Sequence, residues 1–256
     1  MQPTLPPHHS LDEIAPAPAL LITCEHASNA VPARWAHLFA SPAAQSALHS
    51  HRGWDPGVAE LAAALLPPPP SPLAPFCGTA SRLLIDLNRS ENNPQLWSEF
   101  TRDLSLDEKQ ALIRDIYAPF RRATRETIDN LLASGRRPVL HLSLHSFTPV
   151  LDGDVREAEI GLLYDPARPL EAHWVNAWAA ALTSCAPEWR IRHNYPYLGT
   201  DDGFVTQLRT QYSPAVYAGI ELEVNQALAS DPAQRPMLCT HLRHSLAHAL
   251  DTWPTP

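Results

Sequence analysis

Residues 139–147 read V-L-H-L-S-L-H-S-F, and the way they alternate decides how the rest of the chain is organised. Strand side chains point to opposite faces with period two. Leu140, Leu142 and Leu144 therefore share one face, and His141, Ser143 and His145 share the other. A buried polar group left without a partner costs roughly 1–3 kcal/mol. A strand carrying three such groups needs a hydrogen-bond network, water or a metal ion against its polar face.

Upstream of this strand, A-L-L-I-T-C at 19–24 reads as a buried strand that stops at Glu25-His26. G-V-A-E-L-A-A-A-L-L at 57–66 reads as a helix ending at the proline run of 67–75, which is expected to be a stiff connector. F-C-G-T-A-S-R-L-L-I-D-L at 76–87 reads as a strand or hairpin edge. Leu112, Ile116, Phe120, Ile128, Leu131 and Leu132 recur at helical spacing, predicting a long helix over 106–133 with a kink at Pro119. Downstream, E-I-G-L-L-Y at 159–164 and A-G-I-E-L-E-V at 218–224 read as strands. Residues 169–184 read as an amphipathic helix and 236–252 as a closing helix. Strands alternating with helices predict an α/β fold of three layers, α/β/α, around a central mixed sheet. Residues 1–18, rich in proline, are expected to form an extended arm and 19–256 a single domain.

Composition narrows the function. The 256 residues are 45% hydrophobic and 18% charged, a globular balance, with a formal net charge of -8 that disfavours a nucleic-acid partner. No apolar run approaches the ~18 residues of a membrane span, and the first residues carry no signal-peptide pattern. Cys24, Cys77, Cys185 and Cys239 are scattered without metal-binding or disulfide spacing, which fits reduced core cysteines in a cytoplasmic protein.

In open α/β sheets, ligands bind beyond the carboxyl ends of the strands. There this chain places Glu25-His26, then Arg82, Asp86, Asn88 and Arg89, then His145-Ser146, and Glu221 with Glu223 on one face; Asp55 precedes the 57–66 helix. Neutral imidazole and carboxylate are preferred zinc ligands, and a catalytic zinc takes three of them plus water. Such a water needs a carboxylate base beside it, and an Asn-Arg pair offers a planar fork for a substrate carboxylate. Each ligand must come from a different segment, because no local H-x-x-E-H cluster exists.

T-C-E-H-A-S-N-A-V-P (23–32), H-R-G-W-D-P-G (51–57), S-R-L-L-I-D-L-N-R-S (81–90), L-S-L-H-S-F-T-P-V (142–150), R-E-A-E-I-G-L-L-Y-D (156–165), N-Y-P-Y (194–197) and G-I-E-L-E-V-N-Q (219–226) follow one another in an order that resembles the N-formylglutamate amidohydrolase family. The resemblance covers about residues 19–228. It implies a hydrolase with a zinc-carboxypeptidase-like fold, acting on the formyl or short acyl amide of an acidic amino acid. It also implies His26 and His145 as zinc ligands, Arg82, Asn88 and Arg89 as the clamp on a substrate carboxylate, and Glu223 as general base, although periodicity alone leaves Glu221 equally placed. One departure matters: H-A-S-N puts Asn29 where the carboxypeptidase-type H-x-x-E has a glutamate ligand. Asp55 is the first choice to replace it and Glu25 the second. A small-molecule N-acyl amino acid is the expected partner, and a monomer is favoured. Two other readings stand beside this one: an amidohydrolase or carboxypeptidase for another carboxylate-bearing amide, and a metal-free binding protein for acidic metabolites.

Overall fold

The computed structural model describes residues 18–66, 75–136 and 138–251. The expected arm, except Pro18, and the proline connector, except Pro75, lie outside the described residues.

In chain order, the strands are β1 (Ala19–Cys24), β2 (Phe76–Cys77), β3 (Val139–Phe147), β4 (Val150–Leu151), β5 (Asp154–Val155), β6 (Ile160–Leu163), β7 (Ile191–His193) and β8 (Tyr217–Asn225). The helices are α1 (Pro42–His49), α2 (Val58–Leu65), α3 (Leu106–Leu112), α4 (Ala118–Ala133), α5 (Pro169–Cys185), α6 (Phe204–Gln211), α7 (Gln226–Ala229) and α8 (Arg235–Asp251). Six strands form one sheet in the order β2-β1-β3-β8-β6-β7, while β4 and β5 make a separate hairpin. All neighbours run parallel except β6, which is antiparallel to β8, so the sheet is mixed as expected. Among the described residues no helix is long and apolar enough to cross a membrane.

The two faces of the sheet differ in chemistry. Leu140, Leu142 and Leu144 of β3 join Ile22, Ile220 and Leu222 in a core covered by α2, α5 and α8, where Leu61, Trp174 and Leu242 are buried. Each such side chain contributes roughly 1.5–3 kcal/mol by leaving water. On the other face, α4 and α6 supply Ile128, Phe204 and Leu208 against Leu21, Val139 and Tyr217. That second cover is apolar only over the amino-terminal half of the strands. Beyond it the rows become polar: Thr23, Ser143 and Glu221 lie abreast, and His145 pairs with Glu223. This is the polar face of the 139–147 strand.

Two expectations are corrected. Of the run 76–87 only Phe76 and Cys77 are strand. At Gly78 a side chain would collide with the Glu25 carbonyl, and from there the backbone binds loops instead of the sheet. Ser81 N–H donates to Ala30 O (2.8 Å) and Arg82 N–H to Gly53 O (3.2 Å). Leu84, Ile85 and Leu87 are apolar because they fill a core with Phe39, Leu96 and Leu112. The long helix of 106–133 is also not a simple kinked one. A π turn, Ile113–Tyr117, separates α3 from α4, and Ala118 N–H bonds back to Ile113 O. The wider turn absorbs Pro119, which has no N–H to give and would crowd the carbonyl four residues earlier. At the other end, Ser105 and Glu108 form a reciprocal capping box that starts α3.

Candidate metal centre and active site

Three segments bring their polar ends together. His26 lies in the turn that ends β1, Asp55 just before α2, and His145 near the end of β3; all three are buried. Asp55 N–H donates to His26 O (2.9 Å), which fixes the first two segments to each other. One ligand atom from each of the three residues lies within 4.8 Å of the others.

Hydrogen bonds determine which imidazole nitrogens face this point. His26 Nε2 is 2.7 Å from Asp86 Oδ1, so its proton is on that side. The lone pair of His26 Nδ1 then faces Asp55 Oδ2 at 3.4 Å, and among the described residues Nδ1 has no hydrogen-bond partner. Ser143 Oγ donates to Glu25 Oε2 (2.7 Å), which leaves it to accept from His145 Nε2 (3.0 Å). His145 Nδ1 therefore faces Asp55 Oδ2 at 3.0 Å. Two imidazole nitrogens and a carboxylate oxygen converge on one gap, an arrangement that could hold a cation.

The electrostatics agree. Burial opposes charge on His145, but the hydrogen bond and charge of Asp55 outweigh it and push the imidazole up to about 10. A proton thus occupies the place a metal ion would take. Burial likewise opposes charge on Asp55, yet His26, His145 and Arg82 hold its carboxyl far below the usual range. Neutral nitrogen and carboxylate oxygen donors suit a divalent ion such as zinc. An orphaned buried Nδ1 is also what a ligand position looks like before its metal is considered. The residues fit the ion.

Around this cluster lies a cavity of ≈150 Å³ whose walls include Arg82, Asn88, Arg89, Tyr197, Glu221 and Glu223. Burial pushes the Glu223 carboxyl up to about 8, helped by Asp55 and Glu221 and opposed by His145. Glu223 Oε2 is buried without a hydrogen-bond partner. Opposite it in β6 stands Gly161, where any side chain would strike the Tyr195 carbonyl and crowd Glu223. Glu221 is engaged by Asn88 Nδ2 (3.4 Å).

The chain matches the N-formylglutamate amidohydrolase family over residues 18–230. It belongs to that family. Among solved structures, a gene product of Agrobacterium tumefaciens aligns at 28% identity with a TM-score of 0.74, covering 92% of this chain and 91% of that one. An N-formylglutamate amidohydrolase from Ralstonia eutropha JMP134 aligns at 19% identity with a TM-score of 0.68, over 91% and 93%, and shares the fold. A metallo-carboxypeptidase from Burkholderia cenocepacia reaches a TM-score of only 0.41 at 13% identity, over 95% of this chain and 60% of that one. Comparison with curated proteins gives no match.

Every site residue expected for this amidohydrolase-family chain lines the one cavity, though not always in the way the sequence suggested. Asp55, not Glu25, joins the two histidines; Glu25 is fully buried on the far side of His145, 3.5 Å from its Nε2. Arg82 is already bound to Asp86 Oδ2 (2.9 Å) and lies 3.5 Å from Asp55 Oδ1. Arg89 donates through Nη1 to the carbonyls of Asn88 (2.9 Å) and Asp202 (3.1 Å). Asn88 Oδ1 accepts from Phe204 N–H (2.7 Å), which orients its amide. His141 stands apart, between Thr23 Oγ1 (2.8 Å) and Tyr217 Oη (2.7 Å). The sequence reading missed Tyr197, Leu198, Asp201 and Asp202, which close the cavity from the 194–203 loop. The N-Y-P-Y and G-T-D-D-G-F runs were the available signal, but nothing local in them says which cavity they face.

Proposed function

We propose that this chain is a zinc-dependent amidohydrolase that removes a formyl or short acyl group from an acidic amino acid, converting N-formyl-L-glutamate and water to formate and L-glutamate. The observation that carries the reading is the pair of Nδ1 atoms facing Asp55, that of His26 without a hydrogen-bond partner among the described residues, beside the equally unbonded Oε2 of Glu223. His26, Asp55 and His145 would hold the ion. When bound, a divalent ion acidifies a water molecule and polarises the amide carbonyl.

The remaining work falls to the protein. Asp86 and Ser143 keep the proton of each histidine on Nε2, so both Nδ1 atoms stay available. Glu223 takes the water's proton on Oε2 and returns it to the leaving amine nitrogen, and its raised affinity for a proton suits both transfers. Arg89 and Asn88, with Arg82 behind them, receive the substrate carboxylate. Arg82 is tied to Asp55 and Asp86, so it contributes mainly charge and position. The cavity is about half the ~300 Å³ at which drug-sized sites begin, which suits an amino-acid derivative.

The test is formate release from N-formyl-L-glutamate, measured together with the metal content of protein purified without added zinc. Stoichiometric metal with release of formate is the expected result. Binding of the substrate with neither metal nor release would make the protein a binding protein instead.

A further inference from the structure

The cations around the cavity are not equally free. Arg82 is paired with two carboxylates, whereas among the described residues Arg89 makes its hydrogen bonds to carbonyls and no direct carboxylate pair. A third guanidinium stands at the mouth. Arg156 follows the β4–β5 hairpin, and its N–H donates to Pro149 O (2.8 Å). Its carbonyl is reached by Nδ2 of Asn225, the last residue of β8, at 3.5 Å. The guanidinium carbon lies 6.0 Å from the ring centre of Phe147, the last residue of β3, and 5.1 Å from that of Tyr197. Nη1 donates to Tyr197 Oη at 3.1 Å, and Tyr197 lines the cavity. Arg156 thus sits just above the ends of the two strands that carry His145 and Glu223. Among the described residues no carboxylate pairs with it.

A guanidinium resting over two aromatic rings and bonded to Tyr197 is held in place, and its remaining donors suit a planar, two-oxygen anion. We infer that Arg156 binds the second, side-chain carboxylate of the substrate and so sets the preference for an acidic over an amide side chain. This rests on the hydrolytic reading above. One carboxylate meets Arg89 and Asn88 at the inner wall, and the other, two methylenes further along glutamate, meets Arg156 at the mouth. A substrate with a single carboxylate would leave one of these guanidinium groups unmatched.

The zinc-loaded enzyme is assayed for formate release from N-formyl-L-glutamate and from N-formyl-L-glutamine, which has the same shape without the side-chain charge. Wild type is expected to prefer the glutamate compound, chiefly through KM. In Arg156→Gln that preference should fall roughly 10- to 100-fold, the loss expected for one charge-assisted hydrogen-bonded contact, while turnover of the glutamine compound is retained. Arg156→Lys should recover part of the preference. If Arg156 only propped Tyr197, both substrates would decline together in Arg156→Gln, and the inference would be overturned. An unchanged preference in that variant would overturn it as well. Wild-type enzyme that hydrolyses neither compound would remove the proposed function itself, and this inference with it.

Discussion

Two buried charge clusters lie on the same sheet and are finished differently. Beside the start of β8, Glu171 of α5 has no exposure at all, and both its oxygens are filled. Oε1 accepts from Arg209 Nε (3.0 Å) and Gly219 N–H (3.1 Å), and Oε2 from Asp165 N–H (2.9 Å), with Arg168 and Arg209 supplying the opposite charge. At the other end of β8, the His26–Asp55–His145 cluster is equally buried, but Glu25 Oε1, His26 Nδ1 and Glu223 Oε2 have no hydrogen-bond partner. A cluster whose task is to hold the fold satisfies its own acceptors. The second cluster leaves open the acceptors that the proposed cation, water and substrate would use.

The sharpest way to break this contrast is at Glu223. Glu223→Gln keeps the shape and removes the proton acceptor, so kcat should fall 10²–10⁴-fold while metal content stays at the wild-type level. Glu221→Gln should cost far less. A Glu223→Gln enzyme with near-normal kcat, or one that loses its metal, would assign the open oxygen to another purpose.

Glu171→Gln tests the closed cluster. Removing one partner from a buried ion pair typically costs 3–5 kcal/mol of stability. Urea unfolding should show a loss on that order, with kcat per folded molecule within a few-fold of wild type. A normal midpoint would mean that Glu171 does not hold α5 and α6 to the sheet.

Zinc should separate the two clusters in one titration. With free metal at about 1,000 times its dissociation constant, the native state gains about 4 kcal/mol, visible as a higher unfolding midpoint. His145→Ala and Asp55→Ala should lose the response, and Glu171→Gln should keep it. Equal stabilisation of the His145→Ala protein would place the ion elsewhere.

The smallest effect is expected at His141, which lies between the clusters. Burial holds its imidazole down at about 4, below the ordinary value of 6.5. Between those two values the unfolded chain binds a proton that the folded protein refuses, so stability falls as the pH drops through that window and is fully present above it. By pH 5 the loss should be about 2 kcal/mol relative to pH 7.5. Urea unfolding of wild type against His141→Gln isolates this term. Identical pH dependence in the two proteins would exclude it.

Much of this was legible in the sequence because β3 and β8 alternate cleanly. Leu140, Leu142 and Leu144 had to be core, so His141, Ser143 and His145 had to share a polar environment, and Glu221 and Glu223 had to lie on one face. Asp55 could be named because it sits in the H-R-G-W-D-P-G motif that the family resemblance covers. The failures have a common physical origin. S-R-L-L-I-D-L looked like a strand because burial selects apolar residues whatever the backbone does. Asp86 pairs with Arg82 four residues before it, but its bond to His26 spans 60 residues of chain and leaves no local trace. Glu25 stands apart from the three converging ligand atoms because Ser143 and the Nε2 side of His145 hold it on the far side of that ring, contacts across more than a hundred residues of chain. The mouth, from Tyr197 to Asp202, is assembled from a loop whose direction depends on packing against β6.

That packing gives Gly161 a consequence beyond its own strand. Because the Tyr195 carbonyl occupies the space where a side chain at 161 would stand, the distance between the 194–203 loop and Glu223 is set by the thickness of bare backbone. The depth of the cavity is therefore calibrated from within the sheet and not at its rim. Trimming Tyr197 or Leu198 would enlarge the doorway while leaving the room behind it the same depth. Any side chain at 161 would have to push the Tyr195 backbone away, so position 161 is where that wall is hung.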